Sequence, residues 1–151
     1  MVQIETFDQI LRQYRALYLD ANICIYHFED VSPYSELTQL LFESIQSQRT
    51  YGHTSVLSVL EFNVKPYSLG RVKQVLNYSA LLDELPNFLI HSLTLEMADK
   101  AAQMRVKYRL KTPDAIHVAC ALTHRCDAIL GNDEAFGRVK EIKYIHLDDF
   151  V

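Results

Sequence analysis

Two spacings of apolar residues alternate along the chain. Short runs of consecutive apolar residues are typical of buried strands, whereas apolar residues that return every three or four positions are typical of amphipathic helices. The runs predict strands at residues 16–20, 51–53, 88–90, 127–130 and 144–147. The wider spacing predicts helices at residues 3–15, 33–48, 54–66, 67–84, 95–110 and 113–125, with a short helix or turn at 134–139. This alternation predicts a three-layer α/β/α fold with a central, mostly parallel sheet of four to five strands.

Capping residues refine several boundaries of these helices. Ser32 and Pro33 predict the start of the helix at 33–48, and Thr94 is a good cap for the helix at 95–110. Pro66 ends or kinks the helix that contains it. No linker or repeat interrupts the chain. We therefore expect a single domain over residues 1–151, in which residues 1–15 are an N-terminal helical extension.

The segment from Leu17 to Phe28, LYLDANICIYHF, combines a buried strand with a charge at its end. The apolar run stops at Asp20, and the following residues resume as a helix. Open α/β sheets place their binding sites at the carboxyl ends of their strands. Burial of a carboxylate is costly unless another group pairs with it. Asp20 is therefore the first candidate functional residue.

Composition and charge restrict the class of protein. The 151 residues are 49% hydrophobic and carry a net charge of −4. This balance excludes a broad basic surface, so a nucleic-acid substrate would require a local basic patch. The three cysteines lack CxxC spacing and lie in apolar segments, which predicts reduced core thiols and a cytoplasmic protein. We see no signal peptide, and no apolar run approaches the length of a membrane span.

Four acidic residues stand at the edges of apolar segments: Asp20, Glu61, Asp114 and Asp133. Three of them also have a purely structural interpretation. Asp20 would cap the next helix, Asp114 would face the dipole of the helix it opens, and Asp133 would be a turn residue. Glu61 lacks such an interpretation, because its neighbours on the helix are apolar. Were the four to converge, their mutual repulsion would call for a cation. Carboxylate oxygens suit Mg²⁺ or Mn²⁺ better than Zn²⁺.

The segments LDANICIYHF, SVLEF and TPDAIHVACALTHRCDAILGNDEAF together resemble a PIN domain. The nearest resemblance is to the VapC-type toxin ribonucleases of bacterial toxin–antitoxin pairs, and it covers residues 16–151. The family's first acid and its following Asn or Ser correspond to Asp20 and Asn22. Its second acid, inside a helix, corresponds to Glu61. The third acid, which opens a helix as D-A-I-x-x-A-x-A, corresponds to Asp114.

The family's fourth acid lies in a T/S-x-D-x-x-F pattern, which corresponds to Asp133 and Phe136. Here the sequence departs from the family, because Gly131 stands where a Thr or Ser hydroxyl is usual. Asn132 is the candidate to replace that hydroxyl as a second-shell group that binds water or phosphate. The N-terminal extension is a second departure.

The resemblance implies a metal-dependent endoribonuclease. Asp20, Glu61, Asp114 and Asp133 would be both catalytic residues and ligands of Mg²⁺ or Mn²⁺. Asn22 would orient these ligands from the second shell. The implied partners are an RNA substrate and a cognate VapB-like antitoxin protein, and we also expect a homodimer without membrane association.

Basic residues and a histidine lie close to this set in the sequence. Arg105 and Arg109 are spaced to share a helix face, and Lys111 follows them; they are candidates for RNA binding or simply a solvated surface. His117 lies on the same helix face as Asp114, either as a phosphate contact or as a partly buried helix residue. The histidines show no HExxH spacing, and no phosphate-binding loop or hydrolase elbow is present.

Two alternative functions remain open at this stage. One is a binding module that kept the PIN fold and lost catalysis, which Gly131 favours. The other is a phosphatase with an aspartyl nucleophile at Asp20, although that class calls for a second Asp where Asn22 stands. An apolar groove is also predicted as the antitoxin site, unless its residues are all core or form a homodimer contact. The groove would consist of Tyr34, Leu37, Leu41, Phe42, Phe62, Tyr67 and Tyr78.

Overall fold

Five strands form a single sheet in the computed structural model, which describes all 151 residues. The strands are β1 (Ala16–Leu19), β2 (Tyr51–Ser55), β3 (Phe88–His91), β4 (Ala128–Gly131) and β5 (Lys143–His146). Their order across the sheet is β3-β2-β1-β4-β5, and every neighbouring pair is parallel. The predicted parallel sheet within a three-layer α/β/α fold is confirmed.

Helices cover both faces of the sheet. The α-helices are α1 (Ile4–Leu11), α2 (Ala21–Phe28), α3 (Ser35–Gln46), α4 (Val56–Ser68), α5 (Val72–Glu84), α6 (Leu95–Tyr108) and α7 (Thr112–Thr123), and two short 3-10 helices span Glu134–Arg138 and Leu147–Phe150. Leu17 and Leu19 of β1 face a core built with α1 to α5. Tyr18, between them, faces a second core built with α6 and α7. None of the α-helices has the length and apolar character that a bilayer crossing requires.

The strand order places a topological switch point between β1 and β4. The chain adds β2 and β3 on one side of β1, and then crosses to the other side to add β4 and β5. Loops at the carboxyl ends of β1 and β4 therefore diverge and leave a crevice, where α/β folds bind ligands. Asp20 follows β1 and Asp133 follows β4, so both predicted acids lie at this crevice.

The N-terminal extension is packed into the domain. Phe7 and Leu11 of α1 are buried in the larger core. The rings of Phe7 and Phe150 meet edge to face with centroids 5.1 Å apart. The backbone N–H of Gln3 donates to the carbonyl of Phe150 at 2.7 Å. Residues from the two ends of the chain therefore contact each other.

Helix α3 begins later than predicted. It starts at Ser35 with Tyr34 as its N-cap, so Ser32 does not cap it. The ring of Tyr34 stacks on Tyr26 with centroids 4.3 Å apart, and its hydroxyl donates to Asp148 at 2.6 Å. These two contacts hold the residues before the helix in a turn.

The boundary between α4 and α5 also differs from the prediction. Helix α4 continues through Pro66 to Ser68, and α5 begins only at Val72, so the predicted helix at 67–84 is wrong over its first residues. Pro66 has no N–H to donate to the preceding turn, and α4 ends two residues after it. Gly70 has a φ of 68°, a left-handed conformation that glycine adopts without a steric penalty, and it separates the two helices.

The predicted apolar groove is wrong for most of its members. The residues that are buried in the core are Leu37, Leu41, Phe42, Phe62 and Tyr78. They pack helices α2 to α5 together, as in the stacking of His27 on Phe42 and the edge-to-face contact of Phe62 with Tyr78. Tyr67 is exposed, at 58% of its surface. It belongs instead to an outward row on α4, named here the α4 stripe, which consists of Val56, Leu60, Val64 and Tyr67.

The three cysteines are buried and form no disulfide, as predicted for core thiols. Burial raises the pKa of Cys24, of Cys120 to about 11 and of Cys126 to about 12. Thiolates are the reactive form, so these side chains behave as small apolar residues.

Candidate active site

Asp20 lies at the carboxyl end of the central strand and opens α2 as its N-cap. Its Oδ1 accepts the backbone N–H of Asn22 at 2.9 Å and that of Ile23 at 3.3 Å. Only 5% of the residue is exposed. Burial raises the pKa of Asp20 to about 6, although the positive charge of His117 and the two N–H groups favour the charged form. The capping interpretation is therefore correct, and the carboxylate is still held in an environment that disfavours its charge.

Glu61 projects from α4 towards the same crevice. Its Oε1 lies 2.6 Å from Nε2 of His117, a residue of α7 that is 2% exposed. Burial is the main cause of the raised pKa of Asp20 and of Asp114, and the nearby carboxyl group of Glu61 adds to both shifts.

Asp114 and Asp133 complete the acidic set. Asp114 lies in the first turn of α7 and is half-buried. Its pKa is raised, first by burial and then by the negative charge of Asp133. Asp133 is exposed and caps the 3-10 helix at Glu134–Arg138, where its Oδ1 accepts the N–H of Ala135 at 2.9 Å. The four predicted acids thus lie at the ends of β1 and β4 and on α4 and α7, and Asp114 is near enough to Asp133 and Glu61 for their charges to add to its raised pKa.

The protein supplies little positive charge to balance these carboxylates. No lysine or arginine forms an ion pair with any of them, and His117 is their one basic partner. The donor set is entirely oxygen, which fits Mg²⁺ or Mn²⁺. As the side chains stand, no three histidine, cysteine, aspartate or glutamate residues lie close enough together to hold an ion.

The two predicted second-shell residues differ in their surroundings. Asn22 is exposed beside Asp20 and binds it through its backbone N–H. The side chain of Asn132 is already engaged with the protein. Its amide donates to Tyr26 at 3.3 Å and to Asp148 at 3.1 Å, and its oxygen accepts the backbone N–H of Asp148 at 2.9 Å. In this arrangement Asn132 fixes the C-terminal turn.

The basic candidates lie where α6 passes into α7. Arg105 is exposed and donates to Oγ1 of Thr112 at 2.5 Å. Arg109 is the left-handed C-cap of α6, with φ 54°, so it does not share a helix face with Arg105 as predicted. Lys111 is the N-cap residue of α7, and its positive charge only partly opposes the rise in the pKa of Asp114 that burial and Asp133 cause. Lys111 is therefore a basic side chain whose charge acts on the acidic set.

Sequence reasoning missed a set of polar residues behind Glu61. Of the two interpretations of His117, the buried helix residue agrees with the structure: one ring nitrogen contacts Glu61 and the other contacts the hydroxyl of Tyr18, each at 2.6 Å. Tyr18 in turn contacts Ser55 at 3.0 Å. Ser55 is the N-cap residue of α4, yet its side chain caps nothing. The available signal was a tyrosine within an aliphatic strand, because a buried hydroxyl needs a partner.

Gly131 lies against the acidic set at the end of β4. A Cβ atom at this position would be 2.8 Å from Oδ2 and 3.2 Å from Cγ of Asp20. The missing side chain therefore leaves the space that the carboxylate of Asp20 occupies.

The fold and the site together define a class: a parallel α/β domain with acidic residues gathered at the switch point of its sheet. The family model for the PIN domain matches residues 17–142, and the chain belongs to that family. Comparison with curated protein sequences gives no significant match. Membership in the PIN family leaves no support for the aspartyl-phosphatase alternative.

Solved structures with the same fold include components of toxin–antitoxin pairs. A toxin–antitoxin complex from Klebsiella pneumoniae is 24% identical with a TM-score of 0.66, covering 87% of this chain and 97% of that one. FitAcB from Neisseria gonorrhoeae is 19% identical with a TM-score of 0.67, with coverages of 87% and 97%. The sarcin-ricin-loop-cleaving toxin VapC20 of Mycobacterium tuberculosis is 12% identical with a TM-score of 0.65, with coverages of 80% and 92%. At these identities the likeness is one of fold.

Proposed function

We propose that this protein is a Mg²⁺- or Mn²⁺-dependent endoribonuclease and the toxin of a toxin–antitoxin pair. The observation that carries the proposal is the set of four carboxylates at the switch point, which no lysine or arginine neutralises. Asp20, Glu61, Asp114 and Asp133 are the proposed ligands. Such a charge imbalance beside a crevice calls for a bound cation. Membership in the PIN family supports a nuclease.

The residues of the chain have distinct tasks in this proposal. Asp20 is held by the first N–H groups of α2, which fixes one carboxylate at the centre of the site. Glu61 is held from behind by His117, and Asp114 accepts no hydrogen bond from the protein. A metal ion bound there would supply an activated water and stabilise charge on the phosphoryl oxygens. No side chain has to act as the nucleophile.

RNA is the proposed substrate, and the end of α6 is its proposed contact. Lys111 stands beside Asp114, and Arg105 and Arg109 are exposed within the same segment. They form a local basic patch on a protein whose net charge is −4. Phosphates bound by this patch would lie next to the carboxylates. The name of the neighbour VapC20 describes cleavage of an RNA loop, which agrees with this choice.

An antitoxin protein is the proposed partner, as in the complexes formed by the structural neighbours. A cleft of about 460 Å³ between α2 and α5 is one place for it. Glu29 and Glu84 line this cleft together with Leu81, so a helix with basic and apolar residues fits its chemistry. The product of the adjacent reading frame, co-expressed with this chain, should form a stable complex that suppresses cleavage. If no complex forms, the proposal of an antitoxin partner is wrong, whereas the proposal of nuclease activity is not affected.

A homodimer is also proposed, on the basis of the α4 stripe. Val56, Leu60, Val64 and Tyr67 expose between 44% and 59% of their surfaces along one side of the helix. A contiguous apolar row of this kind on the surface is typical of an interface.

Metal-dependent cleavage of a structured RNA tests the central proposal. The wild type should cleave the RNA with Mg²⁺ or Mn²⁺ and stop with chelator. Asp20→Asn, Asp114→Asn and Glu61→Gln should each lower the rate at least about tenfold. Mn²⁺ should raise the melting temperature of the wild type by mass action, and this rise should largely vanish in Asp20→Asn and Asp114→Asn. Asp83→Asn, at an exposed position on α5, is the control that should behave as wild type.

The stability of the metal-free variants decides between a site and a structural role. Because burial raises the pKa of Asp20 to about 6, the group is ionised at pH 7.5, and the buried charge destabilises the metal-free fold. Asp20→Asn keeps an N-cap residue and removes this charge, so the metal-free melting temperature should rise or stay the same. If Asp20→Asn and Asp114→Asn instead unfold the protein, the acids are structural and the proposal is wrong.

A PIN-fold binding module without catalysis is the second candidate. It is favoured by the separation of the carboxylates, of which no three converge. The same metal titration distinguishes this binding module from the nuclease. An inactive module should bind RNA, and Mn²⁺ should leave its melting temperature unchanged.

A further inference from the structure

A row of buried polar side chains leads from the sheet to Glu61. Oγ of Ser55 on β2 is 3.0 Å from the hydroxyl of Tyr18 on β1. That hydroxyl is 2.6 Å from Nδ1 of His117 on α7, and Nε2 of His117 is 2.6 Å from Oε1 of Glu61 on α4. Ser55, Tyr18 and His117 are each no more than 2% exposed. Four elements thus meet through three short hydrogen bonds that end on one proposed metal ligand.

We propose that His117, oriented by Tyr18 and Ser55, is a positioning residue that holds the carboxylate of Glu61 in the active site. The inference rests on the proposed nuclease function for its catalytic consequence, although the hydrogen-bond arrangement itself does not depend on it. His117 lies behind Glu61, within the core, and is only 2% exposed.

A count of protons fixes the role of the histidine. The hydroxyl of Tyr18 has a single proton, which it can donate to His117 or to Ser55 but not to both. If Tyr18 donates that proton to His117, the ring is neutral and carries its own proton on Nε2. If Tyr18 donates to Ser55 instead, Nδ1 of His117 must donate to Tyr18. With Glu61 ionised, Nε2 is the donor to Glu61 in both arrangements.

The consequence is that Nε2 has no lone pair free to act as a base towards the substrate. Its proton instead directs one oxygen of Glu61. A glutamate side chain on a helix surface samples many rotamers, and 36% of the Glu61 side chain is exposed. The buried ring restricts these rotamers and keeps the carboxylate beside Asp20 and Asp114. A carboxylate ligand whose orientation is fixed from behind binds metal more tightly than a mobile one.

Two amide substitutions separate positioning from packing. His117→Gln places an amide nitrogen near the position of Nε2 and can still donate to Glu61, whereas the amide of His117→Asn reaches only the position of Nδ1. His117→Asn should lower Mn²⁺ affinity and kcat by at least about tenfold, with a smaller change in KM for RNA. His117→Gln should recover most of the Mn²⁺ affinity and most of kcat. Tyr18→Phe, which leaves Nδ1 of His117 without its partner, should lower both the Mn²⁺ affinity and kcat.

Tyr78→Phe is the matched control for the loss of a buried tyrosine hydroxyl. Tyr78 donates to Glu29 at 2.6 Å on the other side of the sheet, so its removal perturbs the core without reaching Glu61. This variant should retain wild-type Mn²⁺ affinity and kcat. Equal losses in His117→Asn and His117→Gln would mean that His117 only fills space, and would overturn the proposal.

Nitrogen-15 NMR of the imidazole rings tests the arrangement without any activity measurement. The wild type should show His117 with a proton on Nε2, and Glu61→Gln should shift the signal of that nitrogen. An unprotonated Nε2 would overturn the inference, whether or not the protein cleaves RNA. A protonated Nε2 in a protein that neither binds Mn²⁺ nor cleaves RNA would retain the arrangement and reject the nuclease function.

Discussion

Asp20 depends on the absence of a side chain at Gly131. A Cβ at that position would approach Oδ2 of Asp20 to 2.8 Å, which is closer than side-chain atoms tolerate. The carboxylate has little freedom to retreat, because its Oδ1 is bound to two N–H groups at the start of α2. Where the family usually has Thr or Ser, this chain has Gly131, and the carboxylate of Asp20 fills the volume that a side chain at position 131 would occupy.

Gly131→Ala should therefore impair the site more than the fold. We expect the added methyl group to displace the Asp20 carboxylate, to lower RNA cleavage about tenfold and to reduce the rise of melting temperature with Mn²⁺. Gly137→Ala is the matched control, since its Cβ would meet its nearest neighbour, a ring carbon of Tyr144, at an ordinary 3.8 Å. If Gly131→Ala and Gly137→Ala cleave equally well, the space beside Asp20 has no functional role.

Single residues differ in how well the sequence predicts them. Asp20 and Glu61 could be found because each interrupts an apolar segment, and a charge in such a place needs a reason. Tyr18 and Ser55 could not be found in this way, because each is compatible with an ordinary strand or helix start. Their role depends on contacts between segments distant in the chain, which residue spacing does not encode. The positioning of Glu61 by His117 belongs to this second group.

Three histidines connect strands β2 and β3 to the end of α7. Nδ1 of His53 lies 2.8 Å from Nε2 of His91, and the ring of His91 stacks on that of His124 with centroids 3.4 Å apart. Burial lowers the pKa of His53, and it lowers that of His91 to about 4, assisted by the charges of His124 and His53. Nε2 of His124 is buried without a hydrogen-bond partner. These elements are therefore held together by stacked imidazole rings, and in two of them, His53 and His91, burial disfavours protonation.

Acidification should weaken this contact. An unfolded histidine takes up its proton near pH 6.5, whereas folded His91 does so at about 4. Between these values the unfolded chain binds more protons, so the free energy of unfolding falls as the pH drops. His91→Phe keeps an aromatic ring against His124 and removes the titration. Its melting temperature should fall less than that of the wild type between pH 7 and pH 4.5, as measured by circular dichroism.

Asp20 acts in the opposite direction over part of this range. Its pKa is raised to about 6, so the folded protein gains a proton first and becomes more stable as the pH falls towards 3.8. Asp20 titrates in both proteins, so its contribution cancels when the melting temperature of His91→Phe is compared with that of the wild type at each pH. An identical pH dependence in the two proteins would show that the histidine contact does not affect stability.

Elements as a whole are predicted better than their ends. Thr94 caps α6 as the sequence indicates, accepting the N–H of Met97 at 3.2 Å. The start of α3 and the turn at Gly70 are missed, since contacts of Tyr34 and a left-handed glycine decide them. Local sequence preferences are weaker than these tertiary contacts and so define a helix without defining its first residue.

At the scale of the whole molecule, substitutions in the α4 stripe test the proposed homodimer. Leu60, 59% exposed, lies near its centre. Leu60→Glu should leave the fold intact and shift the protein from dimer to monomer, because a charge would be buried in the proposed interface. Val106→Glu, at a position on α6 that is 84% exposed, should remain dimeric. Light scattering coupled to size-exclusion chromatography measures both, and a monomeric wild type would contradict the homodimer.

The architecture follows from the sequence because alternating strands and helices admit few arrangements. Parallel strands need helical crossovers, and right-handed crossovers that proceed in opposite directions from β1 place helices on both faces. The predicted apolar groove consists mostly of core residues, since the sequence alone does not distinguish buried apolar residues such as Phe42 from exposed ones such as Leu60. Only the packing of α2 to α5 decides that Phe42 is buried and Leu60 is not.

The position of β1 between β2 and β4 also bears on synthesis by the ribosome. The β2 partner of β1 is made soon after it, whereas β4 emerges only when residues 128–131 have been translated. One edge of β1 therefore stays unpaired in the nascent chain, and Asp133 is not present beside Asp20 until most of the chain has been translated. Helices α2 and α5, which line the cleft proposed for the antitoxin, are complete well before that point. A partner that binds the nascent chain would thus have the proposed cleft available before Asp133 completes the acidic set.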